Sequence, residues 1–159
     1  MEAEKTHAGY RGINYVSNTR ILGVPLVHIA SGMNPETGRL QVARGIIAIG
    51  DIAFGIISIG GVSLGILSIG GVALAVISLA GLSIGLFAAF GGLAVSLYLA
   101  AGGAAVSGHL AFGGFAFSLN YAFGGFAIGK HPYGGNYQDP EAVRYFHSLL
   151  KSVFGDLKW

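Results

Sequence analysis

The sequence contains no cysteine, and only 10% of its 159 residues are charged. The first absence excludes disulfides, thiolate nucleophiles and cysteine-ligated zinc sites. The second is unusual, because about a quarter of the residues in an ordinary soluble domain are charged. The chain therefore has few side chains with which to keep a folded surface hydrated. A hydrophobic fraction of 53% and 28 glycines take their place.

The few polar residues do not group into a chemical site. The net charge is +2, and every Lys and Arg lies before residue 45 or after residue 129, without the aromatic–basic alternation of a nucleic-acid interface. The five histidines lack metal-ligand spacing. No paired carboxylates, catalytic triad or phosphate-binding glycine motif can be nominated. We therefore predict no enzyme activity, cofactor, metal, small-molecule substrate or nucleic-acid partner.

Residues 45 to 129 form a repeat with a period of five. From Ile47 it reads IAIGD, IAFGI, ISIGG, VSLGI, LSIGG, VALAV, ISLAG, LSIGL, in the order large, small, large, small, variable. Gly-Gly pairs recur first after ten residues, at 60/61 and 70/71, and later after eleven, at 91/92, 102/103, 113/114 and 124/125. Asp51 is the only charged residue in the array. Such self-similarity is typical of solenoid proteins.

The repeat favours strands over membrane-spanning helices. Glycine costs a helix about 1 kcal/mol relative to alanine, and four spans of about 20 residues would need polar connections that this array lacks. Ile and Val alternate with Ala and Ser, which is typical of strands. We predict a mainly β fold, a β-solenoid (β-helix) with sides of about five residues and glycine corners. Four sides to a coil would give coils of about 20 residues.

The alternation leaves two orientations open. If the large residues face inward they fill the core, and the outside is a coat of Ala, Ser and Gly. If they face outward, the core is made of small residues, which would leave voids in a four-sided coil. We expect the large residues to face inward. In either case the outer surface carries almost no charge.

Polar segments flank the array. Residues 1–12 read as a mobile tail, and residues 13–44 as an N-terminal cap with a hairpin whose arms are Leu26–Ala30 and Leu40–Ala43. Residues 130–159 read as a C-terminal cap with an amphipathic helix, which begins at Asp139, Pro140 and Glu141. We expect Asp51 to contact Arg44 at the first cap.

A chain with so little charge on its surface needs cover from lipid or protein. We predict a non-enzymatic, membrane-embedded β-solenoid with a structural or scaffolding role, which self-associates into homo-oligomers. The alternative is a soluble solenoid that assembles into filaments or closed oligomers through Gly, Ala and Ser walls. The terminal helix would place its membrane-interface anchors in the headgroups: Arg144, Lys151, Lys158 and Trp159. His109 and Asn120, eleven residues apart, would form an internal polar stack on successive turns.

Three segments resemble a group of uncharacterised bacterial Gly-rich, pentad-repeat hydrophobic proteins. They are GVPLVHIASGMNPETGR, RGIIAIGDIAFG and AIGKHPYGGNYQDPEAVRYF, and the likeness covers roughly residues 20 to 147. The resemblance implies a bacterial, membrane-associated protein and carries over no catalytic residues. The polar N-terminal sequence lacks a signal-peptide h-region. The expected location is therefore the bacterial inner membrane or its cytoplasmic face.

Overall fold

The computed structural model describes residues 12–34 and 38–155. The chain divides into two compact units, Met1–Gly81 and Leu82–Trp159. The elements are β1 (Ile13–Val16), β2 (Arg20–Ile21), β3 (Val24–Pro25), β4 (Val27–Ser31), β5 (Val42–Arg44), β6 (Ile47–Ser96), β7 (Leu99–Ser107), β8 (Leu110–Ser118), β9 (Tyr121–Ile128), β10 (His131–Gly134) and α1 (Pro140–Phe154). The fold is mainly β, a β-solenoid of about 8 turns with a single C-terminal helix, which confirms the predicted class.

Each turn of the solenoid pairs in parallel with the turn before it. In the second unit Leu99, Leu110 and Tyr121 lie in register, eleven residues apart. In the first unit Val42 pairs with Ile52, ten residues on. A turn therefore contains two five-residue sides, and the expected coil of about 20 residues was wrong. A period of five fixes the length of a side but does not say how many sides close a coil.

The expected orientation was also wrong, because the small residues face inward. The fully buried positions of the array are all alanine or serine: Ala48, Ala53, Ser58, Ser63, Ser68, Ala73, Ser78, Ser83, Ala89, Ala94, Ala100, Ala105, Ala111, Ala116 and Ala122. With only two sides the sheets lie close together, so a side chain of one or two heavy atoms fills the space between them. The hydroxyls of Ser58 and Ser68, on adjacent turns, are 2.7 Å apart inside this core.

The two glycines of each Gly-Gly pair have different structural roles. A Cβ at Gly60 would collide with the carbonyl oxygen of Gly50, one turn earlier, and Gly70 stands in the same relation to Gly60. At Gly61 a Cβ would meet only the carbonyl oxygen of Asp51, at 3.0 Å. The first glycine is therefore required by the stacking of turns, whereas the second lies on an exposed corner with room for a small adjustment.

The N-terminal cap contains hairpins, as predicted, but with different arms. β1 pairs antiparallel with β4, and β2 pairs antiparallel with β3. The two expected arms correspond to β4 and β5, which do not pair with each other because both pair in parallel with β6. Between them, residues 32–34 and 38–41 lie outside the strands of the solenoid, and an antiparallel bridge joins Met33 to Leu40.

The C-terminal helix confirms its predicted start. The Asp139 side chain accepts a hydrogen bond from the backbone N–H of Glu141 at 2.8 Å, with Pro140 at the first helical position. Ala142 is fully buried, and the ring of Phe146 packs against Phe123 at a centroid distance of 5.2 Å. The first half of α1 therefore packs against large side chains of the second unit, where Leu110 of β8 and Phe123 of β9 are buried in one cluster with Ala142. Within the described chain, no helix has both the length and the hydropathy needed to cross a bilayer.

Candidate functional site

On each unit the outward-facing side chains of the array form a chemically uniform surface. We call these side chains, from residues 52–81 of the first unit and 82–129 of the second, the outer wall. In the first unit its exposed members are Phe54, Ile56, Ile59, Val62, Ile66, Ile69, Val72, Leu74, Val76, Ile77 and Leu79. In the second unit they are Ile84, Leu86, Phe87, Leu93, Leu97, Tyr98, Val106, Phe115, Phe117, Leu119, Phe126 and Ile128. Ile66 is 54% exposed and Leu119 is 68% exposed, so these side chains lie on the protein surface and not at the margin of the core. The stretch contains no Asp, Glu, Lys or Arg.

Asp51 lies just before the outer wall and is held by the cap. Its carboxylate accepts a hydrogen bond from the backbone N–H of Gly32 at 2.6 Å and a longer one from the Ser31 hydroxyl at 3.4 Å. The expected contact with Arg44 is therefore replaced by the start of the loop that leaves the solenoid. Asp51 thus anchors the start of this loop.

Aromatic side chains stack along the second unit at the eleven-residue spacing. Phe87 stacks on Tyr98 with centroids 5.1 Å apart, and Tyr98 stacks on His109 at 5.0 Å. Phe115 and Phe126 form another pair at 5.3 Å. Such stacks add about 0.5–1.5 kcal/mol beyond the burial of area. They therefore stiffen the register between successive turns while leaving ring surface on the outside.

The structure places His109 and Asn120 on adjacent turns, as their spacing suggested. The Nδ2 of Asn120 lies 2.9 Å from the Nδ1 of His109, and both residues are half-buried. Because the Asn120 amide nitrogen donates, His109 Nδ1 is the acceptor. The pair sits at a corner of the second unit beside the ring of Tyr98 rather than in the alanine core.

The N-terminal end of the first unit is closed by His28. This residue pairs with Ala48, so it occupies the inward position of the first turn. Its Nδ1 accepts from the backbone N–H of Arg44 at 2.9 Å, and its Nε2 lies 3.2 Å from Asn14 Oδ1. Because Nδ1 accepts, the proton is on Nε2, which donates to Asn14. His28 therefore joins the two sides of the first turn and ties β1 to them.

The C-terminal end is closed in part by Asn136, which the sequence reasoning missed. Its Oδ1 accepts from the backbone N–H of Ala127 at 3.1 Å, and its Nδ2 donates to the carbonyl of Ala127 at 2.9 Å. The Gly134-Gly135 pair directly before Asn136 continues the series of Gly-Gly pairs in the array. This pair was the sequence signal that could have pointed to Asn136 at the end of the solenoid. Asn136 occupies a place that a further strand would otherwise fill.

A polar cluster joins β10 to the start of α1. His131 Nδ1 lies 3.5 Å from the Asp139 carboxylate, and His131 Nε2 lies 3.4 Å from that of Glu141. The hydrogen bond from the Glu141 backbone lowers the pKa of Asp139 below its ordinary value of 3.8, and the contact with His131 acts in the same direction. The sequence reasoning left His131 unassigned because its partners come from a different element.

The four expected membrane-interface anchors are only partly described. Arg144 and Lys151 lie on α1 and are exposed. Lys158 and Trp159 lie outside the described residues. On the helix, Leu150 and Val153 are also exposed, and Val153 is 65% accessible. The second half of α1 thus presents both basic and apolar side chains to the surroundings.

Neither a metal centre nor a similar protein assigns chemistry to this chain. Over residues 12–34 and 38–155, no three His, Cys, Asp or Glu side chains come close enough to hold a metal ion. No family model, no curated protein and no solved structure matches the sequence or the fold. The outer wall and the capped ends are therefore the features that bear on function.

Proposed function

We propose that this chain is a non-enzymatic, membrane-embedded β-solenoid with a scaffolding role, and that it associates with further copies of itself. The observation that supports the proposal is the outer wall, which exposes branched aliphatic and aromatic side chains on both units and contains no Asp, Glu, Lys or Arg from residue 52 to 129. Monomeric soluble proteins rarely expose apolar patches beyond a few hundred Å². Acyl chains would cover such a surface, in which the exposed Tyr98 hydroxyl and the mutually bonded His109 and Asn120 are polar exceptions.

The backbone is compatible with an apolar solvent. In the second unit each turn pairs in parallel with the next along its backbone, so these backbone polar groups are hydrogen-bonded within the solenoid. At one end β1 and His28 cover the first turn, and at the other β10 and Asn136 cover the last. The remaining charges are in these caps, where headgroups and water would meet them.

The soluble alternative loses the surface on which it was based. It required walls of Gly, Ala and Ser, and most of the Ala and Ser of the array are buried in the core. Copies in water would instead have to pack through the Ile, Leu, Val and Phe of the outer wall. We therefore favour lipid as the main cover, with self-association inside the bilayer.

Membrane fractionation of two matched lysine variants tests the proposal. Ile66→Lys places a charge on the outer wall, and Tyr137→Lys places one at a site of similar exposure, 54% against 60%, in the C-terminal cap. In β-barrels a lysine facing mid-bilayer lipid costs about 2–4 kcal/mol. We expect Ile66→Lys to leave the alkaline-washed membrane pellet while Tyr137→Lys stays with the wild type.

A different result is expected if the outer wall faces water instead of lipid. On a wall that faces water, replacing an exposed isoleucine with lysine improves solubility and leaves the fold intact. Wild-type protein that stays in the supernatant without detergent, together with a more soluble Ile66→Lys variant, would reject the membrane proposal. It would favour the self-assembling alternative, which light scattering in plain buffer would then check.

A further inference from the structure

The second unit has two outer faces, one on each of its two sheets. Ala100 and Ala105 lie in one buried cluster, although they belong to opposite sides of the same turn. Because side chains alternate along a strand, the neighbours of Ala100 point outward on one face and those of Ala105 point outward on the other. The parallel register repeats both faces every eleven residues from β7 to β9.

The helix α1 packs on the first of these faces. Tyr145 stacks on Tyr121 with centroids 4.3 Å apart, and the rings of Phe146 and Phe123 are 5.2 Å apart. As a result, Phe123 is only 5% exposed although it points away from the alanine core. We call this the covered face, and its large residues are Leu99, Leu110, Phe112, Tyr121, Phe123 and Tyr133.

The second face remains accessible in the part of the chain that the structure describes. The helix lies on the opposite sheet, so the outward side chains here are 37–47% exposed. The rings of Phe115 and Phe126, on adjacent turns, are stacked at a centroid distance of 5.3 Å. We call this the bare face, and its members are Leu93, Val106, Phe115, Phe117, Phe126 and Ile128.

Charge is divided between the two sides of the second unit. With about 3.6 residues per helical turn, Arg144, Ser148 and Lys151 lie on α1 opposite the buried Ala142 and Phe146. All three are exposed. The bare face contains no charged residue. The unit therefore has a hydrophilic side formed by α1 and an apolar side formed by the bare face.

This division disfavours lipid all round the second unit. Acyl chains that reached the side of α1 would meet Arg144 and Lys151 before they met Phe123. Charged side chains in the hydrocarbon region are costly and normally face water or a protein interior. Contact through the bare face alone avoids this cost, because the charges of α1 then keep their hydration.

The bare face is also small for a protein interface. Four strand segments about 4.8 Å apart, each of three residues that rise about 3.3 Å, span roughly 20 by 10 Å. A stable interface takes about 800 Å² from each partner. A second copy seated on this face alone would bury too little area, whereas insertion into a bilayer gains from each apolar side chain that leaves water.

We propose that the second unit binds a bilayer through the bare face alone, which inserts among the acyl chains of one leaflet while α1 faces the aqueous phase. This inference rests on the proposed membrane location and gives it an orientation. Arg144 and Lys151 then lie on the aqueous side, whereas the sequence predicted them among the headgroups.

Spin labels on the two sides test this orientation. The chain contains no cysteine, so one introduced cysteine carries the only label. Full-length Phe117→Cys and Ser148→Cys are labelled with a nitroxide and reconstituted in vesicles of phosphatidylglycerol and phosphatidylcholine. Collision with oxygen, which concentrates in acyl chains, is compared with collision with a water-soluble nickel chelate. We expect the oxygen-to-nickel ratio at residue 117 to exceed that at residue 148 several-fold.

A second position on the bare face makes the test independent of one substitution. Ile128 is 40% exposed and Phe117 is 41% exposed, so Ile128→Cys should reproduce the ratio measured at residue 117. Circular dichroism checks that each labelled variant keeps the strand content of the wild type.

Matched lysine variants give a readout without a label. Phe117→Lys should weaken vesicle binding about tenfold, because a lysine that faces acyl chains loses hydration. Ser148→Lys should bind as the wild type does. Equal weakening in the two variants would contradict the assignment of the bare face to lipid.

The label results separate this inference from the proposed function. Equal ratios at the two positions, or a higher ratio at residue 148, would overturn the one-sided orientation and leave the membrane location standing. A label at residue 117 that neither reagent reaches, and that couples magnetically to the label of another copy, would assign the bare face to self-association. Wild-type protein that does not bind the vesicles at all would instead contradict the membrane location itself.

Discussion

The side-chain amide of Asn136 forms two hydrogen bonds with the backbone of Ala127, one to its N–H at 3.1 Å and one to its carbonyl at 2.9 Å. A neighbouring strand would make the same pair of bonds. β10 covers the first side of the last turn, residues 121–124, and Asn136 covers Ala127 on the second side. One side chain therefore protects an edge that would otherwise invite pairing with another chain.

Asn136→Ala should expose this edge. Ala127 would lose both bonds, and leaving buried backbone groups unpaired costs about 1–3 kcal/mol. We expect faster amide exchange at Ala127 and a greater tendency to aggregate on mild heating. Gln138→Ala is the control, because Gln138 is exposed and bridges to Tyr133 through its backbone. Similar exchange and aggregation in the two variants would show that Asn136 does not protect the edge.

The two glycines of one pair should respond differently to alanine. Gly60→Ala places a Cβ on the carbonyl oxygen of Gly50, so the turns must separate, at about 1–3 kcal/mol for an overpacked site. Gly61→Ala meets only the Asp51 carbonyl at 3.0 Å and should stay close to wild type. Chemical unfolding in detergent measures both free energies. Equal losses of unfolding free energy in the two variants would show that Gly60 and Gly61 do not differ in their structural roles.

The five-residue period and the regular recurrence of Gly-Gly pairs were sufficient to predict strands, corners and a solenoid. They did not determine the number of sides per turn, because five-residue sides fit a two-sided or a four-sided coil equally well. The orientation depended on that number: Ala53 or Ser58 cannot fill a wide coil, but fills a narrow one. The error about the large residues was thus a consequence of the error about coil size.

Local signals were read correctly where the partners were close in sequence. Asp139, Pro140 and Glu141 predicted the start of α1 because capping involves neighbouring residues. Asn136 and His131 gave no local signal of this kind, since their partners come from other elements of the fold. Predicting such long-range contacts requires the register between strands, and the sequence alone does not determine that register.

The alanine core should reject a larger side chain. Ala100 is fully buried and lies between Ala89 and Ala111 on adjacent turns. Ala100→Leu adds three carbons where the facing sheets leave no space, so we expect it to destabilise by at least about 1–3 kcal/mol. Leu97→Ala, at a residue 67% exposed, should change the stability by no more than about 0.5 kcal/mol.

Unfolding in detergent also separates this arrangement from the reverse one. In a solenoid with its large residues inside, Leu97→Ala would create a cavity and Ala100→Leu would sit harmlessly on the surface. A larger loss for Leu97→Ala than for Ala100→Leu would therefore contradict the small-residue core. Equivalent pairs can be built in the first unit, for example Ser58→Leu with Ile56→Ala.

Acid should loosen the start of α1 through Asp139. Its folded-state pKa lies below 3.8 because the carboxylate accepts a hydrogen bond from the backbone of Glu141. A group whose pKa is lowered on folding contributes stability above its unfolded value and loses it as the pH falls through the folded value. The stabilisation is therefore complete at neutral pH and declines below pH 3.8.

This loss can be followed by measuring amide exchange rates at Glu141 and Ala142, first at neutral pH and then at pH 3.8 and below. Asp139→Asn is the matched control, because asparagine also caps helices but does not titrate. We expect the acid-induced increase in exchange, corrected for its intrinsic pH dependence, to be smaller in Asp139→Asn than in the wild type. The contact between Glu141 and His131, at 3.4 Å, involves no residue changed by the substitution. An identical acid response in the two proteins would show that the Asp139 cap is not its cause.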